Sequence, residues 1–447
     1  MSSRTETNHR RAGRVTGRTA ALVLMIGAAV IPAACSSSPS TSTETSSTGP
    51  LPSGPPPSGS TPSGAILKLD TAAIDKVVEE TAKRLGEPAM VVLIETPQGT
   101  HTKAYGTTSI GGTDPVTVDT KVRVGSNTKT WTGTVILQMV QEGKLRLDDP
   151  VTKYRPEVPN GDNITIAELL NMRSGLFNYT ATLELNEALD TEAEKVWTPD
   201  ELLTLGFANP PYFPPNQGWR YSNTNTVLLG LIAEDLDNKP LAQVFQDRLF
   251  TPLGLTDTSF PANTDTSIPA PYSRGYFYGT NVETIDEPSL SADRLAAVES
   301  GQLPATDTTN HNPSWTWSAG QGISTANDLA TWVRAMVGGE LLDAETQHLR
   351  MRSIQPISDD PASVGYGYGY NIAQIGPLFG HTGELPGYNS FMGYDPVNDV
   401  TIVAWGNLAP TADGKPPAVK LVDDLLPLIY APSAAVPDEI EDIDPTT

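Results

Sequence analysis

Residues 122–131 read VRVGSNTKTW, and in this stretch a short alternating strand signal runs directly into a helix signal. Apolar residues then recur at helical spacing as far as Glu142, and Gly143 is typical of the end of a helix. The pattern predicts Ser126 and Lys129 in the first turn of this helix. Side chains three residues apart share one helix face, so the Lys129 amine can lie within hydrogen-bond distance of the Ser126 hydroxyl.

A serine beside a lysine at a helix N-terminus is a candidate nucleophile. The amine can take the hydroxyl proton, and the helix N-terminus favours negative charge that develops on the oxygen. Among the twelve lysines of the sequence, only Lys129 has a serine three residues before it. The alternative is a helix-capping serine beside a solvated lysine, and the four-residue pattern alone leaves both interpretations open.

A second motif combines a phenol with an amide. Tyr221 is the only tyrosine followed two residues later by an asparagine, Asn223, and both are predicted in a loop before a helix that starts near Thr226. A phenol near an ammonium group can relay protons, and an amide can orient both the lysine and a substrate. Taken alone, the motif is more typical of a turn with a half-buried tyrosine.

A third motif, His381, Thr382 and Gly383, lies on a predicted strand. A histidine and a hydroxyl would line one edge of a pocket there, and the glycine would let backbone N–H groups approach a substrate carbonyl. If the imidazolium form of His381 assists binding, activity should decline as the pH rises through the neutral range.

The flanking sequence predicts a mixed fold. Asp70 to Gly86 reads as a capped amphipathic helix, and residues 146–350 are predicted to be mostly helical. Strands are predicted at 89–95, 101–107, 121–124, 365–375, 379–383, 390–395 and 400–406, with a last helix at 418–430. Strands near both ends with helices between them predict an α/β (α+β) lobe built from both chain ends and an inserted, mostly helical lobe.

The order of the three motifs resembles that of the penicillin-recognising serine hydrolases, which include class C β-lactamases, serine D-alanyl-D-alanine carboxypeptidases and esterases of the same fold. The resemblance extends over residues 66–430 and includes stretches such as LQMVQEGKLRLDDPV and GHTGELPGY. It implies an antiparallel sheet flanked by helices, and no cofactor. It also implies roles for individual residues. Ser126 would be acylated, Lys129 would activate it, Tyr221 would relay a proton to the leaving group, and Asn223 would orient the reacting groups.

The same resemblance assigns an oxyanion hole to the backbone N–H groups of Ser126 and Glu384, and it places His381 and Thr382 at the opposite edge of the cleft. The carboxypeptidase branch also binds a substrate carboxylate with an arginine and a hydroxyl, where this sequence has Asn371 and Glu384. No Lys or Arg occurs between Ser353 and Gly414. Glu384 would repel a carboxylate unless it points to solvent, so both a carboxypeptidase and an esterase or amidase remain open.

The termini predict export. Residues 1–34 read as a signal peptide that ends at a lipobox-like site before Cys35, which implies lipidation of Cys35 and an anchor on the outer face of the cell membrane. Residues 35–64 then form a Ser/Thr/Pro/Gly tether, residues 65–431 the hydrolase domain, and residues 432–447 a disordered acidic tail. The substrate would be a small molecule or peptide, such as a peptidoglycan stem peptide or a β-lactam.

Composition excludes other classes. The chain of 447 residues has 29 basic and 52 acidic side chains and a net charge of −23, which argues against a nucleic-acid partner. The single cysteine and five scattered histidines form no zinc-binding motif, so no metal is expected. The Gly322–Ala326 segment is predicted to be a helix start capped by Ser324 or Thr325, with Asp328 in its first turn. A non-catalytic, envelope-binding lipoprotein of the same fold remains the alternative to an enzyme.

Overall fold

The computed structural model describes residues 64–358 and 366–431. The predicted signal peptide, Cys35, residues 36–63 of the tether and the acidic tail lie outside the described residues. The strands are β1 Ala89–Thr96, β2 Gly99–Gly106, β3 Val122–Arg123, β4 Tyr276–Phe277, β5 Thr306–Asp307, β6 Ile323–Ser324, β7 Gln355–Pro356, β8 Tyr366–Tyr368, β9 Ala373–Ile375, β10 Leu378–Leu385, β11 Tyr388–Asp395 and β12 Val400–Gly406.

The helices alternate with these strands mainly in the middle of the chain. They are α1 Thr71–Leu85, α2 Thr128–Gln141, α3 Ile166–Leu170, α4 Leu183–Thr191, α5 Pro199–Phe207, α6 Asn223–Asp237, α7 Leu241–Phe245, α8 Thr251–Leu253, α9 Ala292–Glu299, α10 Ala326–Gly338, α11 Ala344–Arg352 and α12 Pro417–Ile429. Helices α3 to α11 fall in or at the edge of the range 146–350, where the sequence predicts helices.

An eight-stranded antiparallel sheet forms the first lobe, with strand order β2-β1-β12-β11-β10-β9-β8-β7. Helices α1 and α12 pack on one face, and α10 packs on the other. Strand β1 is apolar at consecutive positions because both of its faces are covered: Val92 and Ile94 belong to the core under α1 and α12, whereas Val91 and Leu93 face the larger core. The predicted lobe built from both chain ends is confirmed.

The inserted helices pack around α2, which is buried along nearly its whole length. Trp131 on α2 makes edge-to-face contacts with Phe250 at 4.9 Å, Phe245 at 5.9 Å and Trp332 at 6.5 Å between ring centroids. Truncating such a buried tryptophan to alanine typically costs about 3–5 kcal/mol. This packing fixes the helix that carries the candidate nucleophile against both lobes.

Two predicted elements differ from the structure. The single strand expected over 365–375 is wrong: β8 and β9 are separate strands, and Asn371, with φ of 50°, lies in the turn between them. Asparagine tolerates this left-handed conformation better than most residues. Helix α6 begins at Asn223 rather than near Thr226, so Asn223 lies in the first turn of a helix and not in the preceding loop. Strands β1, β2, β10, β11 and β12 begin and end within two residues of their predicted ranges, whereas β7 was not predicted.

Candidate active site

Ser126 lies in a short 3₁₀ turn, Gly125–Asn127, between β3 and α2. Two glycines allow strand β10 to approach this turn. Gly125 has φ of 52°, and a Cβ atom there would lie 2.6 Å from the Glu384 backbone nitrogen. A Cβ atom on Gly383 would lie 1.9 Å from the Val124 carbonyl oxygen. Only glycine fits at either position, and the backbone of Glu384 is thereby held beside the residue that precedes Ser126.

Lys129 is joined directly to Ser126. Its Nζ atom lies 2.9 Å from Ser126 Oγ and donates to the Ala319 carbonyl oxygen at 2.7 Å. The side chain is fully buried, whereas Ser126 is partly exposed. Burial holds the pKa of Lys129 well below its ordinary value. A neutral amine that donates to Ala319 can direct its lone pair at the Ser126 hydroxyl, which is the geometry of a general base.

Tyr221 covers Lys129, whose Nζ atom lies 4.9 Å from the centroid of the tyrosine ring. The phenol is 7% exposed, and its hydroxyl has no hydrogen-bond partner among the described residues. Burial raises the pKa of Tyr221 well above its ordinary value, and the nearby Ser126 hydroxyl offsets this rise only in part. Tyr221 therefore stays protonated at neutral pH and can donate a proton or a hydrogen bond into the cleft.

The hydrogen-bond partners of Asn223 differ from the one that the sequence suggested. Its Nδ2 atom lies 3.2 Å from both Asn178 Oδ1 and Thr180 Oγ1. The hydrogen bonds of Lys129 go instead to Ser126 and Ala319, so the structure does not join Asn223 to Lys129. Contact between the partly exposed Asn223 and a substrate stays a prediction.

His381 lies beneath the cleft and has no solvent-accessible surface. Its Nδ1 atom lies 2.6 Å from the Thr382 carbonyl oxygen, and its Nε2 atom lies 3.1 Å from the Tyr368 hydroxyl. This pattern fits a neutral ring that donates from Nδ1 and accepts at Nε2. Burial, with help from Lys129, lowers the pKa of His381 to about 3. The His381 imidazole is therefore buried rather than exposed at the surface of the cleft, and a contact between His381 and a substrate stays a prediction.

Glu384 and Thr382 share the side of β10 opposite His381, because side chains alternate along a strand. Thr382 is partly exposed and Glu384 is exposed. The Glu384 carboxylate accepts a hydrogen bond of 3.1 Å from Asn389 Nδ2. Protein surrounds the carboxyl although water can reach it, and this partial desolvation raises the pKa of Glu384 to about 7.

Asn371 does not belong to the surface of the cleft. It has no solvent-accessible surface, and a Cβ atom on Gly133 of α2 would lie 2.5 Å from Asn371 Cβ. Of the two departures from the carboxypeptidase pattern, only Glu384 is therefore placed where it can meet a substrate directly.

Several supporting residues were absent from the sequence prediction. The Ala319 carbonyl binds Lys129, Tyr368 binds His381, and Asn389 binds Glu384. The buried amide of Asn127 also donates to Ser390 Oγ at 2.8 Å and so joins the serine turn to β11. In the described part of the chain, no group of three or more His, Cys, Asp or Glu side chains could hold a metal ion. None of the helices in those ranges is long and apolar enough to cross a membrane.

A serine activated by a buried lysine, between a helical lobe and an antiparallel sheet, defines the class of penicillin-recognising serine hydrolases. The Beta-lactamase family profile matches residues 74–425, and the chain belongs to that family. Penicillin-binding protein 4* of Bacillus subtilis (strain 168) is 25% identical over 287 residues, which is 62% of this chain and 58% of the relative. The chain spans only about three fifths of the length of the curated relatives it matches.

Two solved structures are similar over most of their length. A D-stereospecific amidohydrolase from Streptomyces sp. is 29% identical with a TM-score of 0.67, and the match covers 78% of this chain and 97% of that one. The D-amino acid amidase from Ochrobactrum anthropi SV3, in complex with L-phenylalanine amide, is 25% identical with a TM-score of 0.67. That match covers 80% of this chain and 97% of the amidase.

Proposed function

We propose that this protein hydrolyses amides or esters through an acyl-enzyme on Ser126. The observation that carries the proposal is the 2.9 Å contact between Ser126 Oγ and the fully buried Lys129 amine. Hydroxyl groups are weak nucleophiles unless an adjacent base accepts their proton. A buried amine whose pKa is held well below its ordinary value can be that base at neutral pH.

The reaction would proceed in two halves. Ser126 Oγ attacks the substrate carbonyl carbon while its proton passes to Lys129, and backbone N–H groups at Ser126 and Glu384 stabilise the oxyanion. When the tetrahedral intermediate collapses, the bond to the leaving group breaks and the leaving group takes up a proton. Water then attacks the Ser126 ester, which releases the acid and restores the serine hydroxyl.

Lys129 and Tyr221 have different roles in proton transfer. Tyr221 is protonated at neutral pH because burial raises its pKa, so its phenol cannot accept the first proton there. Lys129 is the base for attack, and Tyr221 passes a proton to the leaving group. The resemblance assigns the relay to Tyr221, and the Tyr221 ring packs over the Lys129 amine, with 4.9 Å between Nζ and the ring centroid.

For the substrate, similarity to an amidohydrolase and an amidase supports an amide with no terminal carboxylate. The exposed carboxylate of Glu384 supports the same choice, because it would repel the terminal carboxylate that a carboxypeptidase binds. A peptidoglycan stem peptide or a β-lactam remains in the proposal as the competing substrate. We further propose that the enzyme acts outside the cell, anchored through lipid on Cys35.

Four substrates compared on one preparation test this function: a D-Ala-D-Ala peptide, a cephalosporin, a short-chain ester and a D-amino acid amide. We expect turnover of the ester and the amide, and loss of that turnover in Ser126→Ala. Circular dichroism would show that the variant remains folded. A folded parent protein that turns over none of the four, yet binds cell-wall fragments equally well with and without the Ser126 hydroxyl, would support the non-catalytic alternative instead.

A further inference from the structure

The cleft contains a carboxylate without a countercharge. The Glu384 side chain is exposed, and its hydrogen bond goes to a neutral amide, that of Asn389. Across the described ranges, no Lys, Arg or His side chain forms an ion pair with Glu384. Glu384 directly follows Gly383, whose backbone packs against the serine turn, so its exposed side chain projects from the strand that borders Ser126.

The position of Glu384 is fixed from two sides. Its backbone nitrogen contacts Gly125, directly before Ser126. Its carboxylate is held by Asn389, which lies opposite it on β11. Asn389 is itself 2% exposed, donates to the Gly383 carbonyl oxygen and accepts from the backbone N–H of Ala418 at the start of α12. A carboxylate on such a platform is preorganised to meet a ligand rather than free to turn away.

The other titratable groups around Ser126 carry no compensating charge. Burial lowers the pKa values of Lys129 and His381 and raises that of Tyr221, so in each case burial favours the neutral form. Because burial raises the pKa of Glu384 to about 7, its carboxyl is about half ionised at neutral pH. A cation bound beside it would favour the ionised form and offset its negative charge. Charge-assisted hydrogen bonds are stronger than neutral ones, and partial exclusion of water strengthens the attraction between a carboxylate and a cation.

We propose that Glu384 binds a positively charged group of the substrate, so that the enzyme selects amides and esters that carry an ammonium group over those that carry a carboxylate. This inference rests on the proposed function and names its substrate class. An amino acid amide is such a substrate, since its free amino group is protonated at neutral pH.

Two substrate pairs, each differing by one charged group, test the proposal. Acetylthiocholine and 3,3-dimethylbutyl thioacetate differ by a positive charge in the leaving group, whereas D-alanine p-nitroanilide and propionyl p-nitroanilide differ by an ammonium group in the acyl part. The readout is the ratio of kcat/KM for the charged and the neutral member, which a general loss of activity leaves unchanged. We expect a ratio of about ten or more in at least one pair, and the pair that shows it places the cation on the acyl or the leaving-group side.

Glu384→Gln keeps the shape of the side chain and an oxygen that can accept from Asn389, and it should reduce the ratio toward one. Glu384→Lys should reverse the preference toward a substrate with a carboxylate at the same place. The matched control is Glu299→Gln, which removes the same charge from an exposed position on α9 and should leave the ratio unchanged.

Two results would overturn the proposal: a parent protein without preference in either pair, or a preference that persists in Glu384→Gln. If the neutral esters are still hydrolysed through Ser126 in those cases, only the role of Glu384 fails. If no member of either pair is turned over and no adduct forms on Ser126, the proposed function fails and this inference fails with it.

Discussion

Replacing Gly125 with alanine would test how closely strand β10 must approach the serine turn. The new methyl group would lie 2.6 Å from the Glu384 backbone nitrogen, whereas ordinary contacts of a Cβ atom begin at about 3.4 Å. Because the obstacle is backbone rather than a flexible side chain, Glu384 must retreat by 3.4 − 2.6 = 0.8 Å. That movement displaces one of the two proposed oxyanion donors relative to Ser126.

Two separate costs follow. Alanine at φ of 52° should lose about 1–2 kcal/mol of unfolding free energy from backbone strain. A displacement near 1 Å in a catalytic site costs about 100-fold in rate, which is about 2.7 kcal/mol of activation free energy. We therefore expect Gly125→Ala to be folded but about 100-fold lower in kcat/KM toward an activated ester.

Gly376 provides a matched control. Its φ of 58° is close to that of Gly125, but a Cβ atom there would meet nothing within 4 Å. Gly376→Ala should lose a similar unfolding free energy in urea denaturation and keep its activity. If Gly125→Ala stays within threefold of Gly376→Ala in kcat/KM, close approach of Glu384 to the serine turn is not required for catalysis.

Three further predictions concern buried charged or titratable groups. Burial holds the pKa of Lys129 well below its ordinary value, so the neutral base forms at a lower pH than for a free lysine. Acylation by an ester should fall only on acidification, and a steep rise between pH 9 and 11 would contradict this. Because the pKa of His381 is lowered to about 3, its NMR signals should not titrate between pH 5 and 8, and a midpoint near pH 6.5 would disprove the buried neutral ring. Arg350 is fully buried with two nitrogens unpartnered among the described residues and one bonded to Thr134. Arg350→Met should keep or raise the unfolding free energy in urea, and a loss above about 2 kcal/mol would reveal a partner of the guanidinium.

The parts of the site that depend on local spacing could be predicted from the sequence. Ser126 and Lys129 meet because three residues on a helix bring side chains to one face, and helical periodicity located α2 without knowledge of the fold. Strand β12 occupies the predicted range, 400–406, because both flanks carry clear turn signals. Local patterns thus gave the candidate nucleophile, the lysine that contacts it and most of the sheet.

Contacts between distant residues could not be predicted in the same way. Ala319 binds Lys129 through a backbone carbonyl from 190 positions away, and no side-chain pattern marks a carbonyl group. The burial of His381 depends on how Tyr368 and Tyr221 pack over it. A three-residue motif does not show how deeply its side chains are buried. These contacts decide which groups are charged, so the sequence alone left the protonation state of His381 open.

The sequence does contain signals for two features that the prediction missed: the turn at Asn371 and the pairing of Glu384 with Asn389. Asn371 interrupts the apolar run over 365–375, and asparagine is one of the few residues that readily adopts positive φ. The tight turn around Pro386 and Gly387 would place Glu384 opposite Asn389 if the hairpin register were counted outward from it. Counting this register would have identified the amide that holds the carboxylate.

Mass mapping after brief exposure to a fluorescent penicillin or an activated ester examines the covalent step itself. A quenched sample should yield one modified peptide, with the acyl group on Ser126, and Lys129→Met should yield little of it under the same conditions. An unmodified Ser126 in a preparation that still consumes the reagent, or undiminished labelling of the methionine variant, would contradict nucleophilic attack assisted by the buried amine.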